Sequence, residues 1–405
     1  MVAARDAADA LFISQYYRPE AIGSAPFCGD LAEALAESGL RVQVMTARPH
    51  YPENKVFPGY EDGSRDRERL NGVEIGRVPT HTGASGSALH RLAAEGSFLL
   101  RAGATLARDP SRRAPLIISL CPSVLAVLLG GLLRRPGGRH VALVHDIQSG
   151  LAEGLGMTGG AVSGILRRLE RTALNRCDMV LVLSEEMRDA LRAAGVRSPI
   201  HVHPIWIDTD TIRPQPAPAG PARIALYSGN FGRKQGLMQL VDLAEELADR
   251  GSALRVLLRG RGSQDRRIAE EVTARGLQNV EFGDLLASER LADGLAEGDI
   301  HLVPQDPSVA DYAVPSKIYG IMAAGRPFVA TARRGSTLWR LHRESGAFLC
   351  VPPHDRGAFA SEVMGLARNA ERRVDMGRRG RAWVTAHCAK KSSLKTLVGA
   401  ITAPS

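Results

Sequence analysis

Val314 to Ala330 reads VPSKIYGIMAAGRPFVA. Pro315 suits a first helical turn, where its missing N–H would have had no partner anyway, and Gly325 suits the helix end. Pro327 prevents continuation, and Phe328-Val329-Ala330 begins an apolar strand. Ser316 and Lys317 fall at the helix N-terminus, where the backbone dipole favours an anion such as a diphosphate. Taken alone, these residues equally describe a capped helix. Residues 224–236, IALYSGNFGRKQG, carry the complementary order of strand, glycine loop and helix start. Gly229, Gly232 and Gly236 let the backbone approach a ligand closely, and Asn230, Arg233 and Lys234 stand among them. The loop matches neither the dinucleotide-binding G-x-G-x-x-G nor the Walker A pattern, and an ordinary glycine-rich turn would use the same residues.

The same rhythm runs outward in both directions. Strands are predicted at 11–16, 41–46, 116–120, 140–145, 179–183 and 200–203, then at 224–228, 254–258, 280–282, 300–303, 327–330 and 347–351. Helices are predicted near 24–38, 88–108, 124–134, 162–175 and 185–194, then near 237–249, 264–274, 287–296, 316–324, 337–345 and 358–369. Alternation of this kind predicts an α/β protein of two doubly wound, Rossmann-like parallel sheets, with ligands at the carboxyl ends of strands. Four prolines in 211–221 divide the halves. The expected organisation is an N-terminal domain over 1–207, a hinge over 208–222, a second domain over 223–375 and a helical tail over 376–405 packing back toward the first domain.

Composition narrows the class. The 405 residues are 44% hydrophobic and 23% charged, which excludes collagen-like and disordered chains. Five scattered cysteines, without a Cys-x-x-Cys pair, argue against a disulfide framework and a zinc site. Asp6 and Asp9 interrupt the apolar stretch a signal peptide would need, so a cytoplasmic location is expected. Residues 1–210 hold 24 Lys+Arg against 23 Asp+Glu; the remainder holds 28 against 20, which suggests an anionic ligand there. Aromatics are only 5% and no basic–aromatic interleaving occurs, so nucleic acid is not an expected partner. Residues 114–133 carry no charge and reach the length of a membrane span, yet Pro122 and Ser123 split them into strand and helix.

These segments resemble the retaining glycosyltransferases of family four. VPSKIYGIMAAGRPFVA is similar to their donor-site segment, SGNFGRKQGL to their phosphate loop, and Gly260-Arg261-Gly262 to the glycine pair after the next strand. IDTDTIRP at 207–214 resembles the segment closing their N-terminal domain, and the stretch from Ser14 to Pro52 resembles their N-terminal glycine loop and helix. The wording of the motifs is nearest to the colanic-acid-type and O-antigen fucosyltransferase branch. The resemblance implies a GT-B fold, two such domains facing across a cleft, and retaining, metal-independent transfer of a hexose-type sugar. The donor would be GDP- or UDP-linked and the acceptor lipid-linked or a growing oligosaccharide, with no cofactor and no metal.

Site residues carry over by motif. His145 and Asp146 end a strand, where side chains face the ligand, though His145 equally serves as a satisfied strand-end histidine. With Lys234 they form the expected catalytic set. Gly23 and Ser24 begin a helix whose amides suit donor phosphates or simple capping. Gly229, Asn230, Gly232, Arg233, Lys234, Gly236, Arg261, Asp311, Pro315, Ser316, Lys317 and Gly320 form the expected donor site. The sequence departs from the family where a Glu-x7-Glu pair would stand, with Tyr312 and Gly320 instead; Asp311 is the neighbouring carboxylate. Asn230 also stands where many members carry arginine. Asp208-Thr209-Asp210 has the Asp-x-Asp form of a metal site but sits in a turn-rich stretch. The helices at 88–108 and 165–175, with Leu92, Phe98, Leu99, Leu100, Arg91 and Arg101 on one and Arg167, Arg168 and Arg171 on the other, are candidate faces for an anionic membrane surface. Two other readings fit the fold: a nucleotide-sugar epimerase, and a non-catalytic sugar-nucleotide-binding subunit of a polysaccharide assembly complex.

Overall fold

The structure is a computed structural model and describes residues 7–20, 23–51, 54–82, 88–108, 114–121, 123–157, 159–216, 220–286 and 288–403, without the side chains of 88–92 and 288. Pro122, Arg91 and Leu92 therefore lie outside the described groups, as do Ala287 and residues 217–219 of the proline-rich stretch. The chain forms two compact units. One gathers everything up to His203 together with the segment from Leu394; the other spans Pro204–Ser393.

In the first unit the strands are β1 (Ala10–Ile13), β2 (Val42–Ala47), β3 (Arg67–Leu70), β4 (Val73–Val78), β5 (Leu116–Cys121), β6 (Arg139–Val144), β7 (Met179–Val182) and β8 (Ile200–Val202). They form one sheet in the order β3-β4-β2-β1-β5-β6-β7-β8. Every pairing is parallel except β3 with β4. Helices α1 (Ala25–Glu37), α2 (Ala88–Arg108), α3 (Val124–Leu133), α4 (Gln148–Gly154), α5 (Gly160–Leu174) and α6 (Glu185–Ala193) intervene. Phe98, Ala102 and Leu106 recur on one face of α2 and pack on Leu11, Ile13, Met45 and Ile117. The uncharged run at 114–133 is indeed a buried strand followed by a helix, with the Ser123 hydroxyl accepting from Ala126 N–H at 3.3 Å. Among the described residues, no helix is long and apolar enough to cross a membrane.

The hairpin β3–β4 is absent from the sequence-based reading and departs from the all-parallel expectation. Asn71 and Gly72 both have positive φ, 49° and 81°, the backbone of a two-residue turn that asparagine and glycine tolerate best.

The second unit has β9 (Ile224–Ser228), β10 (Arg255–Arg259), β11 (Val280–Gly283), β12 (Ile300–Pro304), β13 (Phe328–Thr331) and β14 (Leu349–Val351), in the order β11-β10-β9-β12-β13-β14, all parallel. Its helices are α7 (Met238–Asp249), α8 (Asp265–Ala274), α9 (Leu291–Ala296), α10 (Lys317–Ala323), α11 (Thr337–Ser345), α12 (Arg356–Arg368) and α13 (Ala370–His387), and α14 (Lys390–Thr402) follows. Arginines fasten the proline-rich stretch to this unit. Arg381 donates to the carbonyls of Thr209, Ile212 and Ala323, and Arg373 donates to those of Gly220, Leu366 and Ala367. Part of the basic excess of the second half is therefore internal. In an open parallel sheet a crevice forms where the strand order reverses. That point lies between β9 and β12 in the second unit and between β1 and β5 in the first.

Candidate functional site

In the second unit, β9 delivers the chain into the glycine loop at this reversal. Tyr227, buried in the strand, donates its hydroxyl to the Asn230 carbonyl at 2.7 Å and so fixes the loop from below. The strand after it holds the loop from the side. Gly229 N–H donates to the Arg259 carbonyl, and Phe231 N–H to the Arg261 carbonyl, both at 2.9 Å. Gly260 and Gly262 are needed for this contact. A Cβ on Gly260 would fall 1.9 Å from the Gly229 oxygen, and one on Gly262 would fall 2.5 Å from Asn230 Oδ1. Arg233-Lys234-Gln235 then make one 3-10 turn, closed by Gly236 at φ +61°. The segment after β12 meets this turn, with Asp306 N–H donating to the Lys234 carbonyl at 3.2 Å.

Lys317 enters beneath the loop from the start of α10. Its Nζ is buried, lies 3.6 Å from the centre of the Tyr227 ring, and has no hydrogen-bond partner among the described residues. A Cβ on Gly229, whose φ is +150°, would sit 2.8 Å from that nitrogen. Burial pushes the ammonium down to about 7 from an ordinary 10.5. The ring face supplies some attraction, but a buried cation without a hydrogen-bonding partner is a standing penalty that an arriving anion would relieve. Beside the loop, an open pocket of about 540 Å³ is lined by Phe231, Gly260, Arg261, Phe282, Gly283 and Asp284 among others.

The remaining expected donor residues divide. Gly229, Asn230, Gly232, Arg233, Lys234, Gly236, Arg261 and Lys317 come together at this reversal point. Arg261 is exposed and paired with Asp284 at 3.0 Å. Ser316 is exposed and makes no side-chain cap, and Pro315 is half-buried beside it. Asp311 is paired with Arg333 at 2.5 Å. Gly320 is buried in α10, where a Cβ would meet Leu295 Cδ1 at an ordinary 3.6 Å. Tyr227 is a residue that sequence reasoning missed; its one signal was a polar aromatic in an otherwise aliphatic strand directly before the glycine loop.

The first unit assembles a second group. His145 and Asp146 follow β6, both half-buried, with His145 N–H donating to the Cys121 carbonyl at the end of β5. The His145 ring packs edge-on against Phe27 of α1 at 5.7 Å, so the helix that Gly23 and Ser24 begin lies against it. Ser24 makes no side-chain cap, and Gly23 has φ +70°. Glu170, also missed from the sequence, is buried on α5 and accepts from Gln148 N–H at 2.9 Å and from the Ser149 hydroxyl, which pins the turn after Asp146. Burial raises its pKa against those hydrogen bonds. Asp208 accepts from the Asp210 and Thr211 amides and the Thr211 hydroxyl, while Asp210 pairs with Lys391, so these carboxylates serve a turn. Among the described residues, no group of three His, Cys, Asp or Glu side chains is placed to hold a metal ion.

Known proteins resemble this chain in sequence and fold. Residues 23–206 match the Glycosyl transferase 4-like domain, and residues 222–369 match Glycosyl transferases group 1. The putative colanic acid biosynthesis glycosyl transferase WcaI of Escherichia coli (strain K12) is 30% identical over 86% of this chain and 89% of its own. Among solved structures, sucrose-phosphate synthase from Thermosynechococcus elongatus superposes with a TM-score of 0.76 at 20% identity, covering 96% of both chains. Anabaena HepE, solved in complex with UDP and glucose, superposes with a TM-score of 0.71 at 16% identity over 98% of this chain and all of its own. The chain belongs to glycosyltransferase family four and is a glycosyltransferase of the GT-B fold.

Proposed function

We propose that this glycosyltransferase moves a hexose-type sugar from a UDP- or GDP-linked donor to a lipid-linked or growing saccharide, with retention and without a metal, during synthesis of a cell-surface polysaccharide at the inner face of the membrane. The observation that carries the reading is the buried, unpartnered Lys317 ammonium beneath the glycine loop. A diphosphate at the loop would give that cation its partner, with Arg233, Lys234, Arg261 and loop amides meeting the remaining charge. The leaving diphosphate carries the largest charge developed in the transfer, and fixed cations and amides aimed at it lower the barrier. In the proposed step the acceptor oxygen bonds to the anomeric carbon as the bond to the β-phosphate oxygen breaks on the same face. The acceptor proton passes to the departing phosphate. His145 and Asp146 are assigned to hold the transferring sugar, as the family resemblance implies. The colanic acid assignment of the Escherichia coli relative and the UDP in the Anabaena complex support the substrate classes.

The test is release of nucleoside diphosphate from a panel of nucleotide sugars, with a membrane lipid extract as acceptor source and excess EDTA present. Release with one of them, and retained anomeric configuration in the product, is expected. Binding without any release would overturn the transfer reading. Loss of turnover in EDTA, restored by manganese or magnesium, would overturn the metal-free step.

A further inference from the structure

The loops after β1 and β2 leave one ring nitrogen unused. The two strands pair in parallel, so both loops leave the same edge of the first sheet, and the Thr46 hydroxyl ties them by donating to the Gln15 carbonyl at 3.2 Å. Glu20 is buried and accepts from the amides of Tyr17, His50 and Tyr51 at 3.2, 2.9 and 2.8 Å, which fixes the turn that carries the His50 ring. His50 is 3% exposed, and its Nδ1 lies 2.8 Å from the Arg48 carbonyl. A carbonyl can only accept, so Nδ1 carries the hydrogen and Nε2 of the neutral ring carries the lone pair. Nε2 has no hydrogen-bond partner among the described residues and keeps some contact with solvent. The half-buried Tyr16 ring stands 5.6 Å from that of His50 and 5.5 Å from that of Tyr51. Arginines near this edge are already committed. Arg18 pairs with Asp30 and Glu33 at 2.7 Å each, Arg48 holds both oxygens of Asp66 at 2.8 Å, and Arg77 pairs with Glu68.

We infer that His50 Nε2 accepts a hydrogen bond from a hydroxyl of the acceptor, and that this acceptor presents a neutral sugar ring here rather than a bare lipid phosphate. A sugar supplies both halves of the match, with O–H donors around its rim and a C–H face that packs on tyrosine rings. A prenyl phosphate would bring an anion to a nitrogen lone pair, and would have to draw an arginine away from a carboxylate it already holds. His50 is a binding residue in this reading: it orients the sugar, and the transfer step proposed above is unchanged. The inference rests on the proposed transfer to a saccharide and narrows it, because such an enzyme extends an existing glycan instead of starting one on a lipid phosphate.

Saturation-transfer NMR on the full chain tests this without a donor and without turnover. The probes are a panel of methyl glycosides and, separately, farnesyl phosphate. The proteins are the wild type, H50N and H50Q. Asparagine can keep the hydrogen bond to the Arg48 carbonyl but has no atom where Nε2 stands, whereas glutamine reaches that place with an amide oxygen. The wild type is expected to bind at least one methyl glycoside, and to bind it more tightly than farnesyl phosphate. H50N should bind that glycoside about tenfold more weakly, and H50Q should return to within about threefold of the wild type, with unfolding temperatures unchanged. A wild type that binds no glycoside, or that binds farnesyl phosphate more tightly than every glycoside, would overturn the inference. So would H50N binding like the wild type, and equal losses of affinity or stability in both variants would make His50 structural. UDP and GDP affinity, measured in parallel, separates the outcomes. Nucleotide binding without glycoside binding defeats the acceptor site and leaves the donor-site reading standing; glycoside binding through His50 without nucleotide binding does the reverse.

Discussion

The two units share a mainly parallel sheet whose strand order reverses once, and the loops at that reversal differ in chemistry. At the reversal between β9 and β12, the loops offer glycines, backbone amides and a buried cation with an aromatic ring beneath it. At the corresponding end of the first sheet, the loops after β1 and β2 bring together rings and one buried carboxylate. Tyr16 packs against His50 and Tyr51 at 5.6 and 5.5 Å, and Glu20 accepts from the amides of Tyr17, His50 and Tyr51 while buried. The first place leaves a cation that an arriving anion would satisfy, whereas the second presents aromatic faces around a carboxylate already held by three amides. The shared sheet sets where ligands arrive, and the loop residues set which ligand it is.

The sharpest way to break this comparison is to disturb the backbone clasp of the second unit. Gly260→Ala places a methyl 1.9 Å from the Gly229 oxygen and 2.4 Å from the Phe231 ring, so the glycine loop must move. Overpacking against backbone is expected to destabilise the second unit by about 3 kcal/mol. Nucleoside diphosphate affinity should fall by more than ~100-fold in calorimetry. Retained affinity would show that the loop does not bind the donor.

Lys317→Met comes next. It removes a charge-assisted contact worth about 1.5–3 kcal/mol, so nucleoside diphosphate affinity should drop roughly 10- to 150-fold. The same change removes an unpartnered buried ammonium and keeps an apolar stem of similar length, so unfolding temperature should hold or rise. A variant that loses stability and keeps affinity would make Lys317 structural.

The pH dependence of the unaltered protein sharpens the same assignment. With Lys317 lowered to about 7, its proton is present below that pH and lost above it. Nucleotide affinity, which needs the cation, should fall about tenfold per pH unit above 7. It should also weaken below about pH 6 as the terminal phosphate takes a proton. Stability runs the other way. The unfolded chain keeps this proton up to about 10.5, so the contribution of Lys317 to stability rises between pH 7 and 10.5. Thermal shift and calorimetry in one pH series should therefore slope oppositely, and Lys317→Met should flatten both above pH 7.

How far such features could be read from residues depended on whether they were local. The loop at 229–236 and the helix at 317–323 were legible because glycine, proline and their spacing act within a few residues. The β3–β4 hairpin carried a local signal as well, Asn71-Gly72 between alternating residues, but Arg67-Glu68-Arg69-Leu70 lacks the apolar face by which strands are recognised, since it forms an exposed sheet edge. Helix α4, at seven residues, is too short to show a period. On α5 the period was visible and its direction was not. Which face turns inward depends on Glu170 reaching Gln148 and Ser149, a contact over some twenty residues. Lys317 could be placed near a phosphate from sequence, while its lack of a partner needed Tyr227 and Gly229 in three dimensions.

Glu170→Ala tests the first unit alone. It leaves the Gln148 amide and Ser149 hydroxyl without an acceptor, which should cost about 1–3 kcal/mol of stability and loosen the turn after His145 and Asp146. Turnover should fall severalfold while nucleoside diphosphate affinity stays within about twofold, because the glycine loop proposed to hold the nucleotide belongs to the other unit. Restored turnover in Glu170→Gln, which keeps an acceptor oxygen, would mark a positioning role. A matching loss of nucleotide affinity would break the division of labour between the two loop sets.

The smallest effect is expected at Gly320, where the family places a glutamate. Glycine inside a helix is about 0.5–1 kcal/mol less favourable than alanine, because the unfolded chain loses more freedom on folding. Gly320 is helical and buried in α10, and an added methyl would make only ordinary contact with Leu295 Cδ1 at 3.6 Å. Gly320→Ala should therefore raise the unfolding temperature by about 2–4 °C per kcal/mol gained. If the donor is held by the glycine loop and Lys317, as the comparison of the two units implies, nucleotide affinity should change by less than about twofold. A large loss would mean that the sugar nucleotide packs directly on Gly320, and that the glycine is kept to make room for it.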